Sequence, residues 1–327
     1  MQALRLVSNQ LQIVDIPRPA AKGEALVRVE YAGICATDAA IVREGYASFS
    51  GTLGHEFVGV VEASPDPSWI GRRVVADINV GCGRCPDCTA GDARHCAQRT
   101  VLGIRGRDGA FAEYVALPLA NLYAVPNTVS PLEAVFAEPL AAACRILEQV
   151  TVPPAATIGV LGDGKLGQLI AQVFHAHRLS VTLVGRHPRK LQTAARLGLP
   201  VCSANDLNAA ARVFDIVVEA TGRPAGFADA LRLVRPRGTV VLKSTFHRDC
   251  PLHPASVVIP EVTIVGSRCG DMTKALALLA AKAVQPTTLI EAVYNLADGL
   301  EAFRHAMTPG ALKVLLRPAE APATNLA

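Results

Sequence analysis

Residues 157–174 read TIGVLGDGKLGQLIAQVF, an apolar strand-like run that leads through a glycine-rich turn into a run with helical periodicity. Gly162, Gly164 and Gly167 give the spacing G-x-G-x-x-G at this junction. In a strand–turn–helix unit, the first glycine makes the tight turn, the second admits a pyrophosphate and the third lets the helix pack on the strand. The N-terminus of the helix favours the anion. The stretch therefore predicts a dinucleotide-binding unit of the Rossmann type.

Two patterns of secondary structure are predicted, one in the region that begins with this stretch and one in the region before it. From about residue 157 to residue 270, strand-like runs such as SVTLVG and FDIVVEATG alternate with helical runs, which is typical of a parallel sheet with crossover helices. From residue 1 to about residue 126, short β-type runs such as ALVRVEYAG and EFVGVVEA are broken by glycine and proline, which is an all-β pattern. The final run, AVYNLADGLEAFRHAMTPGALKVLL, is expected to fold back on this first region.

Size, charge and composition narrow the function classes. A chain of 327 residues, 50% of them hydrophobic, exceeds the size at which one core stops growing, so two domains are expected. The net charge is only +4 and the basic residues are scattered, which gives no footprint for nucleic acid or a membrane surface. The sequence shows no secretory signal and no membrane-spanning apolar stretch. We therefore expect a cytoplasmic protein whose partners are small molecules.

Four of the nine cysteines are clustered in sequence. Cys82, Cys85, Cys88 and Cys96 follow the spacing C-x2-C-x2-C-x7-C, which favours metal binding over a disulfide scaffold. Four thiolates close a tetrahedral shell, so the cluster predicts a structural zinc site. Four reduced thiols in a loop are one alternative. An iron–sulfur cluster is another, although the ferredoxin-like spacing and the trailing Cys-Pro are missing.

A second set of metal-ligand residue types is spread over three motifs. GICATDAA holds Cys35, GTLGHEFVGVV holds His55 and Glu56, and FAEPLAAA holds Glu138. A thiolate, an imidazole and a carboxylate are the ligand types of a catalytic zinc that keeps one position open and acts as a Lewis acid. Singly, a cysteine is more often a small hydrophobe and a glutamate before proline an exposed turn residue.

Several motifs occur together in one order: GICATD, GHEFVGVV, the four-cysteine segment, DGAFAEY, FAEPLAAA, VLGDGKLG, VEATG and the KVLL strand. With them the chain resembles the zinc-type medium-chain dehydrogenases/reductases, the superfamily of alcohol, sorbitol and threonine dehydrogenases, over nearly its whole length. The resemblance implies an α/β protein with a doubly wound Rossmann sheet and a mainly β, chaperonin-10-like (GroES-like) catalytic domain. The expected divisions are a catalytic domain at 1–142 with a zinc lobe at 81–97, a dinucleotide domain at 143–278 and a returning segment at 279–327.

The same resemblance implies roles for the second metal set. Cys35 and His55 are expected to bind one catalytic zinc, in addition to the structural zinc. Glu56 and Glu138 are the candidates for the carboxylate position, with Glu56 preferred and Glu138 near the metal.

Two neighbouring residues complete this predicted site. Asp38 matches the carboxylate that orients the zinc-bound histidine from outside the coordination shell. Thr37 matches the hydroxyl that takes the substrate proton; its alternative is a strand-end threonine that caps a turn. Many relatives carry a histidine shortly afterwards for the outer proton relay, where this chain has Ala39 and Ala40.

The end of the second Rossmann strand bears on the cofactor. NAD enzymes usually present a carboxylate there to the ribose 2′-hydroxyl, but this chain has Gly185 and Arg186. Arg186 and Lys190 can clamp a 2′-phosphate, the arginine in bidentate fashion and the lysine as a point charge. The sequence therefore predicts NADP(H), with NAD as the alternative. A second interpretation is that these cations only begin an exposed helix.

Taken together, the motifs predict a zinc-dependent oxidoreductase that transfers a hydride between NADP(H) and an alcohol, aldehyde or ketone. A zinc-independent quinone or enone reductase is one alternative. A non-catalytic, dinucleotide-binding redox sensor with only the structural zinc is another. The resemblance also implies a homodimer or homotetramer, and no motif fixes the substrate.

Overall fold

The structure is a computed structural model that describes residues 1–207, 212–245 and 249–318. It divides into two compact units, one formed by Met1–Glu138 with the segment from Ile290 onward, the other by Pro139–Leu289. The sequence predicts divisions after residues 142 and 278. The second division falls later because the helix Met272–Ala280 and the turn Pro286–Leu289 remain with the second unit. Residues 319–327 of the predicted returning segment lie outside the described residues.

The strands in chain order are β1 (Gln2–Val7), β2 (Gln10–Asp15), β3 (Ala25–Gly33), β4 (Gly51–Thr52), β5 (Glu56–Ala63), β6 (Arg73–Ala76), β7 (Asn79–Val80), β8 (Thr100–Leu102), β9 (Gly106–Arg107), β10 (Tyr114–Leu117), β11 (Leu122–Ala124), β12 (Thr157–Leu161), β13 (Ser180–Gly185), β14 (Val201–Ser203), β15 (Phe214–Glu219), β16 (Val234–Leu242), β17 (Thr263–Gly266), β18 (Ile290–Asn295) and β19 (Lys313–Arg317). The helices are α1 (Ala36–Glu44), α2 (Pro86–Thr89), α3 (Pro131–Ala134), α4 (Ala137–Gln149), α5 (Lys165–Ala176), α6 (Pro188–Arg196), α7 (Pro224–Leu233), α8 (Ala255–Val258), α9 (Met272–Ala280) and α10 (Gly299–Ala306). None of the helices in these three described ranges has both the length and the apolar character required to cross a bilayer.

The first unit is built mainly from antiparallel strands. Its largest sheet runs β11-β6-β5-β3-β19-β18, and β10 also pairs with β3. The C-terminal strand β19 pairs antiparallel with β3 and parallel with β18. Val314, Leu315 and Leu316 of β19 are each 0% exposed, so burial of this apolar run holds the returning segment in the sheet.

The second unit contains a parallel sheet in the order β14-β13-β12-β15-β16-β17. From β12 the chain proceeds to one side through β13 and β14, and to the other through β15, β16 and β17. Such a doubly wound order puts the turn after β12 at the point where the winding reverses, where ligands bind in this kind of sheet. Ile158, Val160 and Val217 are each 0% exposed, in keeping with the near-continuous apolar runs of parallel strands.

Candidate functional site

Cys35, His55 and Glu56 bring their ligand atoms to within 4.8 Å of one another in the first unit. Cys35 immediately precedes α1, while His55 and Glu56 stand at the start of β5 and are 3% and 2% exposed. A thiolate, an imidazole and a carboxylate at this spacing suit a zinc ion with an open fourth position. Sulfur, imidazole nitrogen and carboxylate oxygen are all donors that zinc accepts, so the donor set fits this metal.

Asp38 links the start of α1 to His55. Its carboxylate is fully buried, accepts the N–H of Cys35 at 2.8 Å and lies 3.4 Å from His55 Nδ1. In the described part of the chain, that nitrogen is buried without a well-aligned hydrogen bond. Burial lowers the pKa of His55, but the Asp38 carboxylate and the Cys35 sulfur outweigh it and raise the pKa well above its ordinary value. The surroundings of His55 therefore favour positive charge, which a metal ion would supply.

Glu56 is paired with a lysine that the sequence left unassigned. The ammonium of Lys313, at the start of β19, contacts Glu56 Oε2, and both side chains are 2% exposed. Burial lowers the pKa of Lys313, but attraction by Glu56 and Cys35 raises it overall, so the lysine stays charged. A Cβ at Gly33 would lie 2.7 Å from Glu56 Oε2 and 3.3 Å from Lys313 Cδ. The glycine at the end of β3 thus leaves the space that this ion pair fills.

Glu138, the other predicted carboxylate, lies in the first turn of α4 and is partly buried. Burial raises its pKa to about 7, opposed by His55 and reinforced by Glu56. Among the described residues, the ligand atoms of Cys35, His55 and Glu56 converge, and Glu138 is not a member of this group. The charges of this group therefore shift the pKa of Glu138, but Glu138 is not one of its converging ligands.

Thr37 lies beside the metal set, in the first turn of α1. Its hydroxyl oxygen is 3.8 Å from Cys35 Sγ and the side chain is partly exposed. Ala39 and Ala40 follow on the same helix. This turn therefore offers a hydroxyl next to the Cys35 sulfur, followed by two alanines that cannot carry a proton further.

The four clustered cysteines form a second convergent group. The sulfurs of Cys82, Cys85, Cys88 and Cys96 lie within 4.8 Å of one another, and none of the four forms a disulfide. Hydrogen bonds from the backbone N–H groups of Arg84 and Cys85 lower the pKa of Cys82 to about 6. Four converging soft donors suit a closed tetrahedral zinc site.

The glycine-rich turn of the second unit joins β12 to α5. Gly162 has φ +117°, and a Cβ at Gly167 would lie 1.8 Å from Gly162 O. Gly164 caps the N-terminus of α5 and has open space around its Cα. The turn is thus tight at Gly162, packed at Gly167 and open at Gly164, as pyrophosphate binding on a helix N-terminus requires.

The two predicted phosphate-binding cations have different surroundings. Arg186 follows β13, its side chain is 49% exposed, and it lies 3.5 Å from Asp229 Oδ2 of α7. Lys190, in α6, is 8% exposed, and its Nζ lies 4.0 Å from Asp163 Oδ1. Arg186 is therefore open to a ligand, whereas Lys190 is directed at a carboxylate of the glycine-rich turn.

Sequence reasoning missed two residues here. Lys313 appears in the sequence only as part of the KVLL strand, yet a single charge in a buried apolar run requires a partner, and that signal was available. Asp163 occupies a variable position of G-x-G-x-x-G, where no residue type is required. Its contacts cross to a different strand, so sequence spacing gives no signal for them.

Comparison with known proteins gives matches over most of the chain. Residues 21–127 match the alcohol dehydrogenase GroES-like domain, and residues 166–282 match the zinc-binding dehydrogenase domain. The starvation-sensing protein RspB of Escherichia coli strain K12 is 30% identical over 276 residues, which is 80% of this chain and 81% of that protein. Sorbitol dehydrogenase of Halalkalibacterium halodurans is 29% identical over 333 residues, with 95% and 96% coverage.

Solved structures agree with the fold. A zinc-binding dehydrogenase from Sinorhizobium meliloti 1021, solved bound to NADP, has a TM-score of 0.88 at 27% identity, covering 97% of this chain and 99% of that chain. The rspB dehydrogenase of E. coli CFT073, solved with NADH, has a TM-score of 0.86 at 26% identity with the same coverage. The predicted fold class, a Rossmann sheet with a GroES-like, mainly β unit, is confirmed.

Proposed function

Because the chain belongs to the zinc-type medium-chain dehydrogenase/reductase superfamily, we propose that it transfers a hydride between NADP(H) and an alcohol or the corresponding aldehyde or ketone. Membership makes the protein an NAD(P)-dependent, alcohol dehydrogenase-like oxidoreductase that acts on CH–OH groups. The observation that carries the finer proposal is the convergence of Cys35, His55 and Glu56 in a largely buried site.

We propose that Cys35, His55 and Glu56 hold a catalytic zinc and that the four clustered cysteines hold a structural one. A bound zinc supplies Lewis acidity and a bound nicotinamide supplies or accepts the hydride. Asp38, whose Oδ1 lies 3.4 Å from His55 Nδ1, would orient the imidazole for binding a zinc ion. Lys313 neutralises Glu56 when the carboxylate is not neutralised by metal.

Thr37 is proposed to take the proton from the substrate hydroxyl. Its hydroxyl lies 3.8 Å from Cys35 Sγ, at the partly exposed edge of the metal set, where a substrate oxygen would approach. A threonine hydroxyl both accepts and donates, so it passes a proton on without holding charge. The next acceptor is then water or the cofactor, since Ala39 and Ala40 follow.

NADP(H) is the proposed cofactor because Arg186 follows β13 with half of its side chain exposed and no carboxylate on that strand end. A guanidinium matches the geometry of a phosphate and binds it through two hydrogen bonds. Lys190 would add positive charge near the same site. Its ammonium lies 4.0 Å from Asp163 Oδ1, in the glycine-rich turn.

Self-association as a homodimer or homotetramer is also proposed. Val258 and Ile259, in and after α8, are 69% and 80% exposed, and β17, which follows them in sequence, is an outer strand of the parallel sheet. Exposed apolar side chains beside an outer strand are suited to contact with a second copy. Light scattering on the purified chain measures the assembled mass.

The proposed function is tested by a panel of alcohols, polyols, aldehydes and ketones, followed through NADPH absorbance before and after chelation and zinc return. We expect activity that disappears with the metal and returns with it. Cys35→Ser should abolish activity, while Cys202→Ser, outside both cysteine groups, should not. A zinc-replete protein that is inert toward the whole panel would contradict the proposal. Activity without zinc toward quinones or enones would favour the zinc-independent reductase, and a single, structural zinc without activity would favour the sensor.

A further inference from the structure

A carboxylate from the glycine-rich turn fills the space at the end of β13. A Cβ built at Gly185 would lie 2.5 Å from both Cβ and Oδ2 of Asp163. Side chains do not approach so closely, and therefore any residue larger than glycine at position 185 would displace Asp163. The side chain of Asp163 thus occupies the volume that a side chain at position 185 would need.

Asp163 is bonded to the backbone that follows Gly185. Its Oδ2 accepts the N–H of Arg186 at 2.8 Å and the N–H of His187 at 2.7 Å. The ring Nδ1 of His187 lies 2.9 Å from Oδ1, and Lys190 Nζ lies 4.0 Å from the same oxygen. The aspartate is 5% exposed, so these contacts hold it inside the turn.

The charge of Asp163 is stable in this position. Burial raises its pKa, but hydrogen bonds from the backbone and ring of His187, and from the backbone of Arg186, lower the pKa overall. An ionised carboxylate only accepts hydrogen bonds, so the His187 Nδ1 must carry the proton. Both oxygens of the carboxylate thus accept hydrogen bonds from within the protein.

This arrangement differs from the strand-end carboxylate that binds a ribose 2′-hydroxyl in NAD-binding folds. That carboxylate points at the ribose, where it also repels a 2′-phosphate. Asp163 instead comes from the turn, accepts the backbone N–H groups that follow Gly185, and has the ammonium of Lys190 nearby. At this edge the guanidinium of Arg186 is 49% exposed.

We propose that Asp163 is the positioning residue for 2′-phosphate recognition. By fixing the backbone of Arg186 and His187, it directs Arg186 toward the 2′-phosphate of NADP(H), and it keeps its own charge away from that phosphate. The inference rests on the proposed NADP(H) preference and adds the residue that creates it.

Asp229 competes with the phosphate for Arg186. Its Oδ2 lies 3.5 Å from Arg186, and its Oδ1 lies 3.0 Å from Arg232. A phosphate carries more charge than one carboxylate oxygen and offers bidentate geometry, so it displaces the longer contact. Removing the charge at position 229 should therefore strengthen 2′-phosphate binding, whereas removing Asp163 should weaken it.

The experiment compares calorimetric binding of 2′,5′-ADP and 5′-AMP, which differ only by the 2′-phosphate, to the full chain. We expect Asp163→Ala to weaken 2′,5′-ADP by about tenfold, the effect of one lost charge-assisted hydrogen bond, and to change 5′-AMP little. Asp163→Asn keeps an acceptor oxygen for the backbone N–H groups and should retain most of the discrimination. Asp229→Asn should strengthen 2′,5′-ADP, and Asp206→Asn, an exposed aspartate of the same unit, should do nothing.

A transfer of the carboxylate gives a second test at constant net charge. Asp163→Gly with Gly185→Asp clears the shared volume and moves the carboxylate to the strand end. We expect the double variant to lose at least about tenfold in 2′,5′-ADP affinity, because like charges then face each other, and to keep 5′-AMP binding.

The possible results are distinct. If the natural chain itself fails to prefer 2′,5′-ADP, the proposed NADP(H) function is wrong at this site and the inference falls with it. If the natural chain prefers it but the Asp163→Ala and transfer variants prefer it equally, the inference alone is overturned. Equal weakening of both nucleotides in Asp163→Ala, with an unchanged ratio, would reduce Asp163 to a structural role and also overturn it. If Asp163→Ala does not fold, Asp163→Ser, which also removes the carboxylate, decides in its place: an unchanged ratio of 2′,5′-ADP to 5′-AMP affinity overturns the inference.

Discussion

The ammonium of Lys313 contacts the carboxylate of Glu56 across 257 positions of sequence, and the pair is buried beside Cys35 and His55. Each charge is tolerated there because the other is present. Removing either charge should therefore leave the other uncompensated.

Lys313→Met should destabilise the metal-free protein by about 3 kcal/mol, because it leaves Glu56 as an uncompensated buried charge. Lys313→Arg keeps the positive charge and should lose less. Zinc at the neighbouring ligands would offset the Glu56 charge, so the defect should shrink in the zinc-loaded protein. Urea unfolding with and without zinc measures both effects. Identical midpoints for Lys313→Met and the natural chain would show that Glu56 does not depend on this lysine.

Zinc content should separate the two metal groups. We expect two zinc ions per chain in the natural protein, and one in Cys96→Ser or in His55→Ala, because each loses a ligand of one group only. Glu56→Gln should lower occupancy of the catalytic site more than Glu138→Gln, since Glu56 belongs to the convergent set and Glu138 does not. Elemental analysis after dialysis gives the counts, with Cys202→Ser as control. A larger loss with Glu138→Gln would reassign the carboxylate ligand.

Thr37→Val should lower kcat by about a hundredfold, within the range for losing a positioned proton-transfer group. Thr37→Ser restores a hydroxyl and should recover most of the rate. The readout is kcat on any alcohol that proves to be a substrate, with NADPH affinity and zinc content measured in parallel. Unchanged kcat in Thr37→Val would leave Thr37 with a turn-capping role.

Cofactor choice should respond to Arg186. Replacing it with aspartate puts a repelling charge where the 2′-phosphate is proposed to bind, so kcat/KM should shift toward NAD. Arg189→Asp, a change of the same charge in the first turn of α6, serves as the comparison. An unchanged ratio of kcat/KM for the two cofactors in Arg186→Asp would exclude Arg186 as the phosphate contact.

Stability should depend on pH through Asp215. Its Oδ2 accepts the backbone N–H of Thr157 at 2.6 Å and the Thr157 hydroxyl at 2.7 Å, and these bonds lower its pKa. A lowered folded-state pKa gives stability that is present above the unfolded pKa and is lost as pH falls through the folded pKa. Asp215→Asn should therefore cost about 1 kcal/mol at neutral pH, and the difference should close in acid. Urea unfolding of both proteins from neutral to acid pH measures the difference in unfolding free energy. A difference that does not change with pH would contradict the mechanism.

The sequence predicted those parts of the molecule that depend on local pattern. The glycine-rich turn and the alternation around it predicted the parallel sheet, and the short spacing of Cys82, Cys85, Cys88 and Cys96 predicted four converging sulfurs. Short turns determine both features, so spacing along the chain is enough.

The remaining features depend on contacts between distant segments. Lys313 reaches Glu56 only because β19 pairs with β3. Burial of an apolar run stabilises that pairing, and an apolar run alone does not identify the strand with which it pairs. Asp163 meets the end of β13 only because parallel strands bring their carboxyl ends to one edge. The sequence correctly showed that β13 ends without an acidic residue. It could not show that the carboxylate of Asp163, from the neighbouring turn, occupies that position.

Insertion of β19 beside β3 also sets an order for biosynthesis. The parallel sheet of the second unit is complete once β17 has been translated, whereas the first unit lacks an internal strand and the counter-charge of Glu56 until residue 313 has left the ribosome. The nascent chain must therefore carry an unfinished N-terminal sheet through most of translation, and a stop codon at or before residue 313 would leave that sheet open and Glu56 without its counter-charge.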